Sequence, residues 1–167
     1  MSVATPLQIA VVTVSDTRTE ETDKSGNVLV ESLQQAGHTL HSKKIVKDDI
    51  YDLRALVSAH IADPEINVVL TTGGTGFTPR DNTQPALQVL FDLHIEGFGE
   101  LFRQLSYEEI GSSTVQSRVF AGLANGTIVF CLPGSPGACQ TGWNKIIAEQ
   151  LDSAHKPCNF VDKLSLS

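Results

Sequence analysis

Ile66-Asn-Val-Val-Leu-Thr71-Thr-Gly73-Gly74-Thr75-Gly76-Phe-Thr-Pro79-Arg80-Asp81-Asn-Thr83 is the stretch from which the rest of the chain is read. A short apolar, β-branched run stops at three closely spaced glycines. Pro79 follows, and then Asp81 or Asn82 as N-cap candidate for the apolar segment beyond. That order predicts strand, loop, helix. In an open α/β sheet such a loop lies at the carboxyl end of a strand, where backbone N–H groups can point at a small anion with no side chain in the way.

Upstream the same unit occurs twice. Leu7 to Val14 is nearly continuous apolar sequence, which predicts a central parallel strand covered on both faces. It ends in Ser15-Asp16-Thr17-Arg18, a polar turn that fits either an ordinary connection or one wall of a ligand crevice. Asp23 to Ala36 reads as a helix capped by Thr22 or Asp23, with Val28, Leu29, Leu33 and Ala36 on its buried face and Gly37 as its stop. A second strand is expected from His38 to Val46. His38 and His41 fall on its opposite faces and are read as surface or half-buried side chains, unable to share a metal. Asp48-Asp49 opens a helix with apolar Leu53, Leu56, Val57 and Ile61, ended by Pro64. These carboxylates suit a capping role, and they also follow a strand's carboxyl end on the glycine loop's side of the sheet.

Downstream, a helix is expected over Thr83 to Phe91, with Ala86, Leu87 and Leu90 facing inward. In Gly97-Phe98-Gly99-Glu100-Leu101-Phe102-Arg103, Glu100 and Arg103 stand one helical turn apart. A surface ion pair worth about 0.3–0.5 kcal/mol and a glycine-opened approach for a ligand both suit that spacing. Ser117-Arg118 and the small residues through Gly122 read as a short helix. Thr127 to Leu132 is a further strong strand. It ends in Pro133-Gly134-Ser135-Pro136-Gly137, and a final helix follows over Gly137 to Ser153 with Trp143, Ile146, Ile147 and Leu151 on its apolar face. Pro157 to Ser167 reads as an extended tail.

The β-α-β-α-β-α order predicts an α/β protein with a mostly parallel sheet between two helical layers, one domain over residues 1–167. A net charge of −7 argues against nucleic acid as a partner, since affinity for a phosphate backbone comes from Lys and Arg. Of Arg18, Arg54, Arg80, Arg103 and Arg118, all but Arg54 adjoin a strand-end loop or a glycine- or serine-containing motif, so local anion recognition stays open. Cys131, Cys139 and Cys158 lack CxxC spacing and fit a reduced compartment, with Cys131 a core residue. Met1 to Pro6 has no basic region, and the apolar run after it is too short for a signal peptide or a membrane span. The expectation is a cytoplasmic protein with no membrane partner.

The glycine loop lacks the Lys-Ser/Thr end of a Walker A sequence, and it lacks the third glycine and first-unit position of a dinucleotide fingerprint. Ser135 is outside a GxSxG elbow, and Pro136 removes the N–H that such a site needs. Kinase-like P-loop, Rossmann oxidoreductase and serine hydrolase readings are therefore set aside.

Thr71-Thr-Gly-Gly-Thr-Gly76 with Pro79-Arg80-Asp81, Gly97-Phe-Gly-Glu100 with Arg103, Ser117-Arg118, and Leu132-Pro-Gly-Ser-Pro136 together resemble the MoaB/Mog family of molybdenum cofactor biosynthesis proteins. The motifs stand in that family's order from Leu7 to about Leu151. The Gln104-Leu-Ser-Tyr-Glu-Glu-Ile-Gly111 run and the Pro157-Cys158-Asn159-Phe160 tail are similar to the MoaB branch.

The resemblance implies a three-layer α/β/α molybdopterin-binding fold that assembles as homotrimers or homohexamers. It implies molybdopterin as substrate or ligand, and adenylylation of its phosphate by ATP with Mg²⁺, releasing pyrophosphate. The product would pass to another protein for molybdate insertion. On that reading Asp48 and Asp81 are the catalytic metal ligands, with Asp49 the alternative beside Asp48. Thr72, Gly73, Gly74, Thr75, Gly76 and Arg80 would bind nucleotide phosphates. Ser15, Asp16, Glu100, Arg103, Ser117, Arg118, Pro133, Gly134 and Ser135 would contact substrate. Phosphate attacking phosphate concentrates negative charge, so N–H groups, arginines and a hard cation suit it better than a strong base. Retention of both aspartates favours an enzyme; the alternative is a non-catalytic protein that binds or carries molybdopterin or its precursor.

Overall fold

The computed structural model describes residues 5–166. Met1–Ala4, part of the segment read above as carrying no basic leader, and Ser167 at the end of the tail lie outside the described residues. The elements in chain order are β1 (Gln8–Val14), α1 (Lys24–Gln35), β2 (Thr39–Val46), α2 (Ile50–Ala62), β3 (Val68–Thr72), α3 (Thr83–Leu87), β4 (Leu93–His94), α4 (Glu96–Ile110), β5 (Phe120–Ala124), β6 (Thr127–Leu132) and α5 (Pro136–Gly142). The last helix runs on through a π-helical stretch (Trp143–Ile147) and a final turn, α6 (Ala148–Gln150).

The sheet order is β2-β1-β3-β6-β5-β4. β2, β1, β3 and β6 are mutually parallel, and β4 and β5 are antiparallel additions at one edge. Side chains alternate across each strand, and the sheet separates two cores. Ile9, Val11, Phe130 and Leu132 meet Leu29 and Leu33 of α1, Phe98 and Phe102 of α4, and Trp143 and Ile147. Ala10, Val12, Val14 and Cys131 meet Leu53 and Val57 of α2 and Ala86 and Leu87 of α3 on the other face. This is the expected three-layer α/β/α arrangement.

Four expectations need correction. The segment Ser117 to Gly122 holds no short helix: from Phe120 the chain is β5, paired antiparallel to β6. It is a strand because the Phe91 ring occupies the space a Cβ on Gly122 would take, and because Asn125 (φ 51°) and Gly126 (φ 74°) make a two-residue hairpin turn into β6. The helix expected to reach Phe91 ends at Leu87 and tightens into a 3₁₀ turn (Gln88–Leu90), and its start has no side-chain cap. His38 is buried: its Nδ1 accepts the Leu7 N–H at 3.1 Å and its ring stands edge-on to Trp143. The tail contains a 3₁₀ turn (Val161–Lys163) and buries Val161 and Leu164 against the α1/α4 core.

Cys131 and Cys139 are buried, and desolvation pushes their thiols up to about 12 and about 11, whereas Cys158 is exposed. One thiol per chain should therefore react with a disulfide reagent at neutral pH before unfolding, and all three after it. A second native thiol reacting as fast as the first would mean that the core beneath β6 opens.

Candidate functional site

β1, β3 and β6 are adjacent and parallel, so their carboxyl ends at Val14, Thr72 and Leu132 share one edge of the sheet. The chain leaves β1 through α1 on one face and reaches β3 through α2 on the other. The crevice between β1 and β3 is thus the place where an open α/β sheet binds its ligand. A cavity of about 620 Å³ lies there, walled by Ser15 and Asp16 after β1, Asp48 after β2, Thr72 to Gly76 after β3 and Pro133 to Ser135 after β6. The Gly73 N–H donates to the Leu132 carbonyl at 3.0 Å and the Thr72 hydroxyl to the Pro133 carbonyl at 2.7 Å, so the β3 and β6 loops are tied into one wall.

Gly73 (φ 102°) and Gly74 (φ 70°) take the left-handed backbone that glycine adopts without penalty. A Cβ on Gly74 would stand 3.1 Å from Asp48 Oδ2, so the bare backbone brings the loop against a carboxylate. Asp48 is only 5% exposed. Its Oδ1 accepts the Asn82 N–H at 2.8 Å, and its carbonyl accepts the Asn82 side-chain amide at 3.1 Å. Burial pushes the Asp48 pKa up; the Asn82 bonds oppose this, the charges of Asp81 and Asp16 add to it, and the net shift is upward.

Asp81 goes the other way. Partial burial would raise its pKa, but the hydroxyl and N–H of Thr78, both on Oδ2 at 2.7 and 2.9 Å, the Gly76 N–H and the Arg118 charge outweigh it and hold the group below its ordinary value. Asp16 is held low chiefly by Arg80, whose Nε and Nη2 donate to its two oxygens at 2.9 and 2.8 Å, and also by the Asp48 N–H at 3.1 Å. The cavity therefore carries a buried carboxylate that resists its charge beside a second that keeps it.

Residues 10–153 match the family described as "Probable molybdopterin binding domain". The chain belongs to the MoaB/Mog family. It is 56% identical over 155 residues to the Molybdenum cofactor biosynthesis protein B of Escherichia coli K12, covering 93% of this chain and 91% of that one. A crystal structure of a Molybdenum cofactor biosynthesis protein B superposes with a TM-score of 0.85 at 49% identity over 88% of this chain and 92% of that one. The tungsten cofactor synthesizing protein MoaB of Pyrococcus furiosus gives 0.76 at 41% identity over 86% of this chain and 92% of that one.

Most residues that the MoaB/Mog resemblance singles out meet in the one cavity: Asp48 and Asp81, Thr72 to Gly76 with Arg80, Ser15 and Asp16, Ser117, and Pro133 to Ser135. Asp49 is not beside the loop in the same way; its Oδ1 accepts the Tyr51 and Asp52 N–H groups at 2.9 Å each and caps α2. Ser135 lines the cavity while its hydroxyl caps α5 through the Ala138 N–H at 3.2 Å.

Glu100, Arg103 and Arg118 line a second cavity of about 550 Å³, separated from the first at Ser117, which borders both. Arg103 Nη1 donates to the carbonyls of Ser117 and Val119 at 3.3 and 3.2 Å, in place of the ion pair with Glu100 that the spacing suggested. Arg118 donates to the carbonyls of Gly76 and Asp81 at 2.7 and 2.9 Å and so holds the glycine loop from behind. Asn82, expected from the sequence only as a helix cap, and Ser106 belong to the site without having been named as site residues. Asn82 positions Asp48, and Ser106 is a buried hydroxyl on the same α4 stripe as Phe98 and Phe102. A serine at the third position of an i, i+4, i+8 apolar stripe was its signal.

The donor set suits the Mg²⁺ implied for MoaB/Mog proteins. Mg²⁺ takes hard oxygen ligands, with one or two carboxylates completed by water and phosphate. Asp48 and Asp81 supply such oxygens, and the upward push on Asp48 from burial and like charges is the environment that a divalent cation relieves.

Proposed function

We propose that this chain acts in molybdenum cofactor biosynthesis in the cytoplasm, binding molybdopterin and adenylylating it with Mg-ATP. The observation that carries the proposal is the positive-φ glycine loop set directly against Asp48 and Asp81 inside one cavity at the strand ends. An oxygen of the pterin's terminal phosphate forms a bond to the α-phosphorus of ATP. The bond from that phosphorus to the bridging oxygen breaks, and pyrophosphate leaves with the electron pair.

Such a reaction brings anions together, and the chain's own parts answer that need. The Gly73 N–H is engaged by Leu132 and the Gly76 N–H by Asp81. The N–H groups of Gly74 and Thr75 would be the loop's remaining donors to phosphate. Arg80 supplies an exposed guanidinium at the cavity mouth, and Asp48 and Asp81 would hold Mg²⁺. When bound, Mg²⁺ would neutralise charge on the phosphates and stabilise the leaving pyrophosphate. The exposed apolar side chains Tyr107, Ile110 and Val115, on α4 and the turn after it, support self-association as a homotrimer or homohexamer.

Purified protein given molybdopterin, ATP and Mg²⁺ should form adenylylated pterin and pyrophosphate in equal amounts, and chelation of the metal should stop both. Pterin binding without any nucleotide-dependent product would establish a carrier instead.

A further inference from the structure

Arg80 is, with Arg18, one of two exposed arginines that line the cavity, and its charge is already engaged. Nε and Nη2 donate two parallel bonds, at 2.9 and 2.8 Å, to the two oxygens of Asp16, a residue 64 positions away. That fork is the geometry in which a guanidinium takes a carboxylate or a phosphate alike. The pair joins the loop after β1 to the arm after β3, so it spans the crevice in which the phosphates are proposed to sit.

We infer that Asp16 is a built-in competitor that occupies the Arg80 phosphate fork until a polyphosphate anion displaces it. This rests on the phosphate reading of the cavity. Both partners are substantially solvent-exposed, with Arg80 at 61% and Asp16 at 35%, and exposed ion pairs are weak enough to exchange. A polyphosphate brings more charge to the same two donors than one carboxylate does.

The Arg80 side chain can swing away while its backbone stays, and Asp16 keeps a bond of its own when it does. Asp16 Oδ1 is also held by the Asp48 N–H at 3.1 Å, and the Arg80 N–H donates to the Thr78 hydroxyl at 3.2 Å in the turn that Asp81 closes. The competitor therefore raises the anion concentration at which the site fills and keeps single-charge anions out.

The test is calorimetric titration of the full chain, without metal, using inorganic pyrophosphate and methyl phosphate as probes. Asp16→Asn keeps an oxygen for the Asp48 N–H but removes the charge. It should bind pyrophosphate about fivefold more tightly than the unaltered protein, the upper range for release of an exposed pair. Arg80→Gln should bind more weakly, and Asp16→Asn should give no gain in the Arg80→Gln background.

A gain confined to pyrophosphate supports displacement by a polyphosphate, and an equal gain for methyl phosphate would overturn that selectivity. Equal pyrophosphate affinity in Asp16→Asn and the unaltered protein would overturn the competition alone, as would a gain that persists without Arg80. If none of the proteins binds pyrophosphate, the phosphate reading of the cavity falls, and the competition with it.

Discussion

Asp48→Asn is expected to raise the melting temperature and Asp81→Asn to lower it, while each cuts Mg²⁺-dependent turnover by about 10²–10³-fold. The two carboxylates face the same cavity but stand in opposite relation to their charge. Burial and the neighbouring acids push the Asp48 pKa up, so its ionised form is a cost to the folded state. Its stabilising contribution is complete below the unfolded-state pKa and is lost as pH rises through the folded one. At neutral pH an amide that still accepts the Asn82 N–H removes that cost.

Asp81 is held low by its Thr78 and Gly76 donors, against the push of its own partial burial. Its contribution is present above the unfolded-state pKa and is lost as pH falls through the folded one. Asparagine weakens those charge-assisted bonds. Each change should be worth about 1 kcal/mol, or about 2–4 °C in a chain of this size. Melting curves from about pH 2 to about pH 8 check the signs: the Asp48 difference should shrink as pH falls toward the ordinary carboxylate range, and the Asp81 difference only below it. Equal shifts of one sign in the two variants would show that the carboxylates are not differently tuned.

β1, β3 and β6 were legible because they are covered on both faces, and burial on two sides leaves an unbroken apolar run such as Ile9 to Val12 or Val68 to Leu70. β5 was not. Phe120-Ala-Gly-Leu-Ala124 has little intrinsic strand preference, and it is ordered by the Phe91 ring over Gly122 and by its pairing to β6. Asn125-Gly126 was the available signal, since that pair turns a hairpin tightly.

The glycine loop showed in the sequence because positive φ leaves a mark in residue type. Side-chain direction leaves none. The family resemblance gave Arg103 and Arg118 as substrate contacts, yet both direct donors to backbone carbonyls that no pattern reveals. The difference between Asp48 and Asp49 likewise shows only in the structure, where Asp49 Oδ1 caps α2 and Asp48 lines the cavity.

Gly73→Ala should destabilise the fold by about 3–5 kcal/mol, a loss at the upper end for single substitutions and about 6–20 °C in melting temperature. At φ 102° the residue lies beyond the left-handed region that alanine can reach cheaply, and the added Cβ would run into the Val14 carbonyl. Rotating the backbone to relieve either problem disturbs the Gly73 N–H bond to Leu132 and the Thr83 hydroxyl bond to the Gly73 carbonyl, at 3.0 and 2.8 Å. These two bonds tie the loop to β6 and α3, so the strain spreads to both walls of the cavity.

Gly137→Ala is the matched control. It lies in the first turn of α5, and an added Cβ there meets nothing within 4 Å. It should be neutral or stabilise by about 0.4–1 kcal/mol through the unfolded chain. Urea unfolding of the two variants side by side separates a general glycine effect from a local one. A Gly73→Ala protein as stable as Gly137→Ala would mean that the loop can take another path past Val14, and that its approach to Asp48 is not imposed by the fold.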